Sequence, residues 1–389
     1  MIKKRDLFQK INPYIKAPEA IIVTGMRRTG KTTLLNYFFN RIDSDNKLFI
    51  DLENPVNRRY FEVKNYEEVR STFEFLGIEL DRKSYIFLDE IQFVKEIPSI
   101  VKYFIDHYQI KFFMTGSASF YLKNLFTESL VGRKYLFELL PLTFQEFLHF
   151  KNLDYIITEN KKKISLSIFD TISPYYDEYL LYGGFPGVVL KTTIKEKKKT
   201  LEDIFSSFFQ LEVVQLGDYR RNEIIRNLML LLLSRIGSKL SIQKLAIELG
   251  ISRPTLYKYL SFLEGTYFIS LVRPYSRGKD IEIRKTPKVY VCDSGLANLF
   301  AKVDEGHLFE NSVFHNLQVK GEINYYHRKS GVEIDFILNK KKAYEVKINP
   351  TDSDIRRLKL LIKKMGLKDF KIISKNYSPL ENIIYGFMI

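Results

Sequence analysis

The run Gly25-Met26-Arg27-Arg28-Thr29-Gly30-Lys31-Thr32 leaves this chain few folds to choose from. It fits G-x-x-x-x-G-K-[ST] and follows the short apolar, β-rich stretch Ile21–Thr24. It opens a helical pattern from Lys31 to Ile42 in which Leu34, Leu35, Phe38 and Phe39 share a face. In that setting glycines let backbone N–H groups wrap phosphate oxygens, and the helix N-terminus adds a favourable dipole. Together with Thr33 these residues form the candidate phosphate-holding set. Lys31 would reach the β/γ-phosphates of ATP and Thr32 would ligate Mg2+.

The surrounding pattern agrees. Leu48–Ile50, Tyr85–Leu88 and Lys111–Met114 are apolar throughout, and helical stretches at 66–76 and 97–108 separate them. Apolar strands alternating with helices predict a parallel sheet covered on both faces, hence an α/β P-loop fold. The third strand delivers Asp89-Glu90 to its C-terminal end, where phosphate sites in open α/β sheets lie. Asp89 would hold Mg2+ through water and Glu90 would polarise the attacking water. Thr115-Gly116-Ser117-Ala118-Ser119 follows the next strand. A hydroxyl there, Ser117 in particular, is a candidate γ-phosphate sensor, with a helix N-cap at Ser117 or Ser119 as the plainer role. Arg133, placed after the last core strand, is a candidate for neutralising transition-state charge, within the chain or across a subunit boundary. A structural ion pair is its alternative.

Composition narrows the rest. In 389 residues there are 31 Phe and 25 Tyr, which excludes wholesale disorder, and one cysteine, which excludes an internal disulfide. A formal net charge of +15 favours a polyanionic partner, nucleic acid before membrane. No export signal is visible, and the aliphatic run Leu228–Leu233 is far short of the ~18 residues that span a bilayer. A cytoplasmic protein without a membrane partner is expected.

Gly25–Thr32, Leu88-Asp89-Glu90-Ile91-Gln92, Thr115-Gly116-Ser117 and Phe137–Phe147 resemble the archaeal and bacterial AAA+ ATPases that carry a winged helix and a restriction-endonuclease-like C-terminal domain. Tyr182-Gly183-Gly184-Phe185-Pro186-Gly187 is similar to a Gly-Gly-Phe-Pro signature of that group. The resemblance implies an AAA+ core, a helical lid and assembly into homo-oligomers. The expected division is 1–140 for the ATPase core, 141–235 for a helical lid, 236–300 for a winged helix and 301–389 for a PD-(D/E)xK nuclease-like α/β domain.

In the third segment Ile242, Leu245, Ala246 and Leu249 share a helical face, Gly250 makes a turn, and Ser252 can cap a second helix. Arg253, Tyr257 and Lys258 then point outward, and Arg277, Lys279 and Arg284 fall at the tip of a hairpin. Such a module contacts duplex DNA or docks on protein. In the fourth segment Glu333 and Asp335 share one strand face, and Glu345 and Lys347 share a face of the next. With Glu310 from the preceding helix they follow the E…D…E-x-K order. The carboxylates would collect Mg2+ and Lys347 would be catalytic in an active centre. The expectation is thus an ATP-hydrolysing protein that engages DNA, with metal-dependent nuclease activity. Its alternative is an ATP-gated regulatory switch or DNA translocase that binds without cutting.

Overall fold

A computed structural model describes residues 2–63, 65–117, 130–153, 155, 164–217, 219, 221–276, 286–328 and 331–389. The chain divides into two compact units. One is Met1–Leu140 with Gly265–Tyr267; the other is Pro141–Glu264 with Phe268–Ile389. Arg277, Lys279 and Arg284 lie outside the described residues, as does Ser119.

The first unit is built on strands β1 (Ala20–Thr24), β2 (Lys47–Asp51), β3 (Ser84–Asp89), β4 (Ile110–Gly116) and β5 (Lys134–Glu138). Their order is β2-β3-β4-β1-β5, and every neighbouring pair is parallel. Strand alternation explains why it must be covered twice. Ala20, Ile22, Ile86, Leu88, Phe112 and Met114 pack on one face with Val69, Phe73, Val101 and Phe104. Ile21, Val23, Phe87 and Phe113 pack on the other with Leu34, Leu35 and Phe38. The fold class is therefore the expected α/β P-loop architecture. One expectation fails: Arg133 does not follow the last core strand. It precedes a fifth strand, β5, which the half-exposed residues Lys134–Glu138 concealed because an edge strand need not be apolar on both faces.

The second unit opens with helices, including Phe144–Phe150, Leu166–Tyr182, Ile194–Phe208 and Asn222–Leu233. Helices Ile242–Glu248 and Arg253–Gly265 follow, and β6 (Ile269–Val272) pairs antiparallel with β7 (Lys288–Val291). Helix Glu305–Gln318 leads into a separate mixed sheet of β8 (Ile323–His327), β9 (Glu333–Leu338), β10 (Lys342–Lys347), β11 (Asp369–Ser374) and β12 (Ile383–Tyr385). Helix Asp352–Met365 packs on it through Leu358, Leu361 and Ile362.

Within this unit Asp293 caps helix Ser294–Ala301. Its carboxylate accepts from the Gly295 N–H at 2.9 Å, the Leu296 N–H at 3.3 Å and the Gly184 N–H at 2.7 Å. A Cβ at Gly183 would fall 1.9 Å from this carboxylate, which accounts for one glycine of the Tyr182–Gly187 run. Burial nevertheless pushes the Asp293 carboxyl up to about 7, against those three donors. An unfolded aspartate titrates near ~3.9. The folded chain thus holds a proton that the unfolded chain releases. The stability it contributes is full below about pH 4 and is lost as pH rises towards 7. Asp293→Asn should flatten that part of a Tm–pH curve; a curve of unchanged slope would place the response elsewhere.

Candidate nucleotide site and acidic centre

The loop leaving β1 is shaped by backbone conformations that few residues adopt. Gly25 has φ +151°, and a Cβ there would lie 2.1 Å from the Leu139 carbonyl oxygen. Arg28 and Gly30 also have positive φ. The Thr29 hydroxyl donates to the Met26 carbonyl at 2.8 Å, and Arg5 donates to the Thr29 and Leu140 carbonyls. Gly30 then starts helix Lys31–Arg41. Lys31 is buried, and its Nζ donates to the Gly25 and Met26 carbonyls at 3.0 Å each. Arg28, Thr32 and Thr33 are exposed at the helix entrance.

Because β4 lies between β1 and β3, three strand ends converge beside this loop. Asp89 ends β3, and its carboxylate accepts from the hydroxyl of Thr115 on β4, with the Thr32 hydroxyl of the loop close enough to favour its charged form. Burial holds the Asp89 carboxyl above the usual carboxylate range; the neighbouring Glu90 adds to the rise, while the two hydroxyls and Lys31 oppose it. Glu90 adopts φ +55°, and its N–H donates to Thr115 Oγ1 at 3.3 Å. The Glu90 carboxylate accepts from the Gln92 amide and stands 4.0 Å from the Arg27 guanidinium. Gln92 also holds Ser117: it donates to Ser117 Oγ at 2.9 Å and accepts from the Ser117 N–H at 3.2 Å. Ser117 is thus tied to Glu90 through one amide. Sequence reasoning misses Thr115, Gln92 and Arg5. Thr115 and Gln92 lie inside the motif runs but carry no charge to draw attention. It misses Tyr267 as well, whose hydroxyl lies 2.6 Å from Thr24 Oγ1 and donates to Glu138.

Arg133 is corrected. Its carbonyl accepts from the Ala20 N–H, so it sits at the N-terminal edge of the sheet. The four steps from Ala20 to Thr24, about 13 Å, separate it from the loop. Its Nε is 2.6 Å from Asp106 Oδ1, the structural ion pair. A charge-neutralising role within the chain is out of reach.

In the second unit, Ser241 and Ser252 cap the two helices flanking Gly250, and Arg253, Tyr257 and Lys258 are exposed on the second. Leu256, Leu260 and Leu263 are buried beneath them. Asp335, Glu345 and Lys347 gather on β9 and β10, facing Glu310. Asp335 Oδ2 accepts from the Val346 N–H at 2.8 Å. Glu345 Oε1 lies 3.1 Å from Lys347 and 2.6 Å from Arg357, while its Oε2 has no hydrogen-bond partner among the described residues. Burial, and then the charge of Asp335, push the Glu345 carboxyl up to about 7 and raise that of Glu310. Glu310 accepts from the Tyr290 hydroxyl at 2.5 Å. Lys288 stands among Glu310, Glu333 and Asp335 at 3.2, 2.6 and 3.6 Å. Among the described residues no three acidic, histidine or cysteine side chains are grouped to hold a metal ion. The expected cage of Glu310, Asp335 and Glu345 is therefore corrected: the carboxylates neighbour one another, but each is engaged by a cation or a donor.

A phosphate-loop motif leaving β1 of a parallel α/β sheet, with a carboxylate pair at the end of β3 two strands away, has the form of a P-loop nucleotide site. Residues 17–148 match the family described as an AAA domain. Residues 173–306 match a domain of unknown function (DUF8612). Among curated proteins, the chain is similar to uncharacterized protein MJ1544 of Methanocaldococcus jannaschii, with 29% identity over 93% of this chain and 83% of that one. It is likewise similar to an uncharacterized protein of Haemophilus influenzae, with 27% identity over 98% and 95%. Among solved structures, a Walker-type ATPase of Pyrococcus abyssi aligns with TM-score 0.47 and 17% identity, over 77% of this chain and 96% of that one. The Aeropyrum pernix ORC1 protein in complex with DNA aligns with TM-score 0.35 and 14% identity, over 78% and 93%. Among the described residues no helix is long and apolar enough to cross a membrane.

Proposed function

We propose that this chain is an ATP-hydrolysing AAA+ protein whose nucleotide state gates engagement of DNA. The observation that carries the first half is the convergence of Lys31 and Thr32, after β1, with Asp89 and Glu90, at the end of β3. These residues fit Mg2+ and ATP. Lys31 is solvated by two carbonyls, which a phosphate oxygen can replace, and the Thr32 hydroxyl lies near the Asp89 carboxylate. Bound Mg2+ would neutralise phosphate charge next to Thr32 and Asp89. Lys31 supplies fixed positive charge, and Glu90 takes the proton of the attacking water. Gln92 and Arg27 hold that carboxylate in place, and Gln92 links it to Ser117.

Glu90→Gln tests the reading most cleanly. The amide keeps the size and the hydrogen-bonding reach of the side chain but cannot accept the proton. ATP affinity should stay within about threefold, while turnover should fall by roughly two orders of magnitude or more. Turnover at the wild-type rate would remove Glu90 from the chemistry.

For the second unit, we read helices Ile242–Glu248 and Arg253–Gly265 with β6 and β7 as a winged helix, and the C-terminal mixed sheet as a PD-(D/E)xK-like fold. The exposed row Arg253, Tyr257, Lys258 on the second helix, together with the net charge of +15, supports duplex DNA as the partner. Each phosphate neutralised contributes about 0.9 to the slope of log affinity against log salt. Arg253→Ala/Lys258→Ala should therefore lower that slope by up to about 1.8. An unchanged slope and affinity would move DNA contact off this helix. Between cutting and gated binding, the cation-filled acidic centre favours gated binding.

A further inference from the structure

The acidic centre of the second unit is balanced by cations from the chain itself. Four carboxylates meet there: Glu310 on a helix, Glu333 and Asp335 on β9, and Glu345 on β10. Four cations reach them. Lys347 and Arg357 take Glu345, and Lys239 lies 3.3 Å from Glu333. Lys288 takes the interior position, within 3.6 Å of Glu310, Glu333 and Asp335 at once, with its side chain only 4% exposed. Its surroundings explain why an ammonium is stable there. Three carboxylates crowded together repel, and a buried cation between them relieves that repulsion while their attraction offsets its own penalty for leaving water. The neighbouring charges keep Lys288 protonated despite its burial. Tyr290, two residues along β7, adds its hydroxyl to Glu310 from the same face.

A divalent ion at this place would need several oxygens at close range, about six for Mg2+. Glu310 and Glu333 spend oxygens on Lys288, and Asp335 spends Oδ2 on the Val346 N–H. Among the described residues Glu345 Oε2 is the one fully buried oxygen of these four carboxylates without a hydrogen-bond partner, and it supplies a single ligand. We propose that Lys288 is the resident cation of this centre: its ammonium occupies the position a divalent metal would take, the wild-type centre is complete without metal, and removing Lys288 converts it into a metal site. The inference concerns the second unit and is independent of ATP turnover in the first.

Calorimetric titration of the full, nucleotide-free chain with Mn2+ tests it, together with melting curves. Wild type and Asp335→Asn should give the same isotherm, since no metal uses Asp335. Lys288→Met should melt roughly 6–15 °C below wild type, because it leaves buried carboxylates uncompensated. Mn2+ should restore most of that loss and bind with one equivalent more than in wild type. That equivalent should disappear in Lys288→Met/Asp335→Asn. If Lys288→Met does not fold, Lys288→Met/Glu333→Gln, which restores the charge balance, should show the same extra equivalent. The proposal is overturned if wild type binds an equivalent of Mn2+ that Asp335→Asn loses. It is equally overturned if the foldable Lys288 variant gains no Mn2+.

Discussion

Lys31→Ala should remove the proposed ATP turnover, with an expected loss of at least two to three orders of magnitude, roughly the cost of removing one preorganised charge from the site. The ammonium stands between the Gly25 and Met26 carbonyls at the start of the helix. Lys31→Arg should not rescue, because a planar fork cannot replace a compact point charge inside a loop drawn this tightly. The alanine variant also leaves two carbonyls without this donor, a cost of about 1–3 kcal/mol each if water cannot reach them. Melting curves taken beside the rate measurement separate the two effects. A folded Lys31→Ala protein that still hydrolyses ATP would show that the activity resides elsewhere.

Gly25→Ala is the second large expectation. The added methyl would sit 2.1 Å from the Leu139 carbonyl oxygen, whose residue is itself anchored by a 2.7 Å bond from its N–H to the Thr24 carbonyl. Neither side is a flexible side chain, so β1 or the end of β5 must shift. Overpacking and the positive φ together cost about 2–5 kcal/mol, a fall in Tm of roughly 5–15 °C for a unit of this size. Nucleotide binding should be lost with it, because the loop carbonyls that position Lys31 move. Gly30→Ala is the control: φ is +98° there, but nothing lies within 4 Å of the added methyl, so only backbone strain is added. Equal losses in the two variants would mean that contact with Leu139 is not what demands glycine at position 25.

The nucleotide site is legible in the chain because its requirements are local. A tight loop needs glycine, the following helix needs its N-terminus at the loop, and an apolar strand must deliver Asp89 and Glu90 to its end. Each of these is written over a handful of consecutive residues. Gln92 and Thr115 do not stand out, although both sit inside the motif runs. Their roles depend on β4 lying between β1 and β3, and strand order is not a property of any one segment. Arg133 shows the same limit from the other side. Its neighbours suggest a charge near the nucleotide, and only the register of β5 on β1 reveals that it belongs to the far edge.

The acidic centre divides along the same line. Alternation along the residues of β9 and β10 puts Asp335, Glu345 and Lys347 on shared faces, since a strand has period two whatever it pairs with. Lys288 gives no such signal, because in the chain it is one more lysine at the start of a hairpin strand. By itself, then, the sequence determined the phosphate loop, the doubly covered parallel sheet and the carboxylate pair at its edge, all consequences of short-range backbone geometry and hydrophobic periodicity. Tertiary structure alone decided which cation meets which carboxylate. Charge pairing acts over a few ångströms in space, and the partners of Lys288 lie 22 and more residues away along the chain.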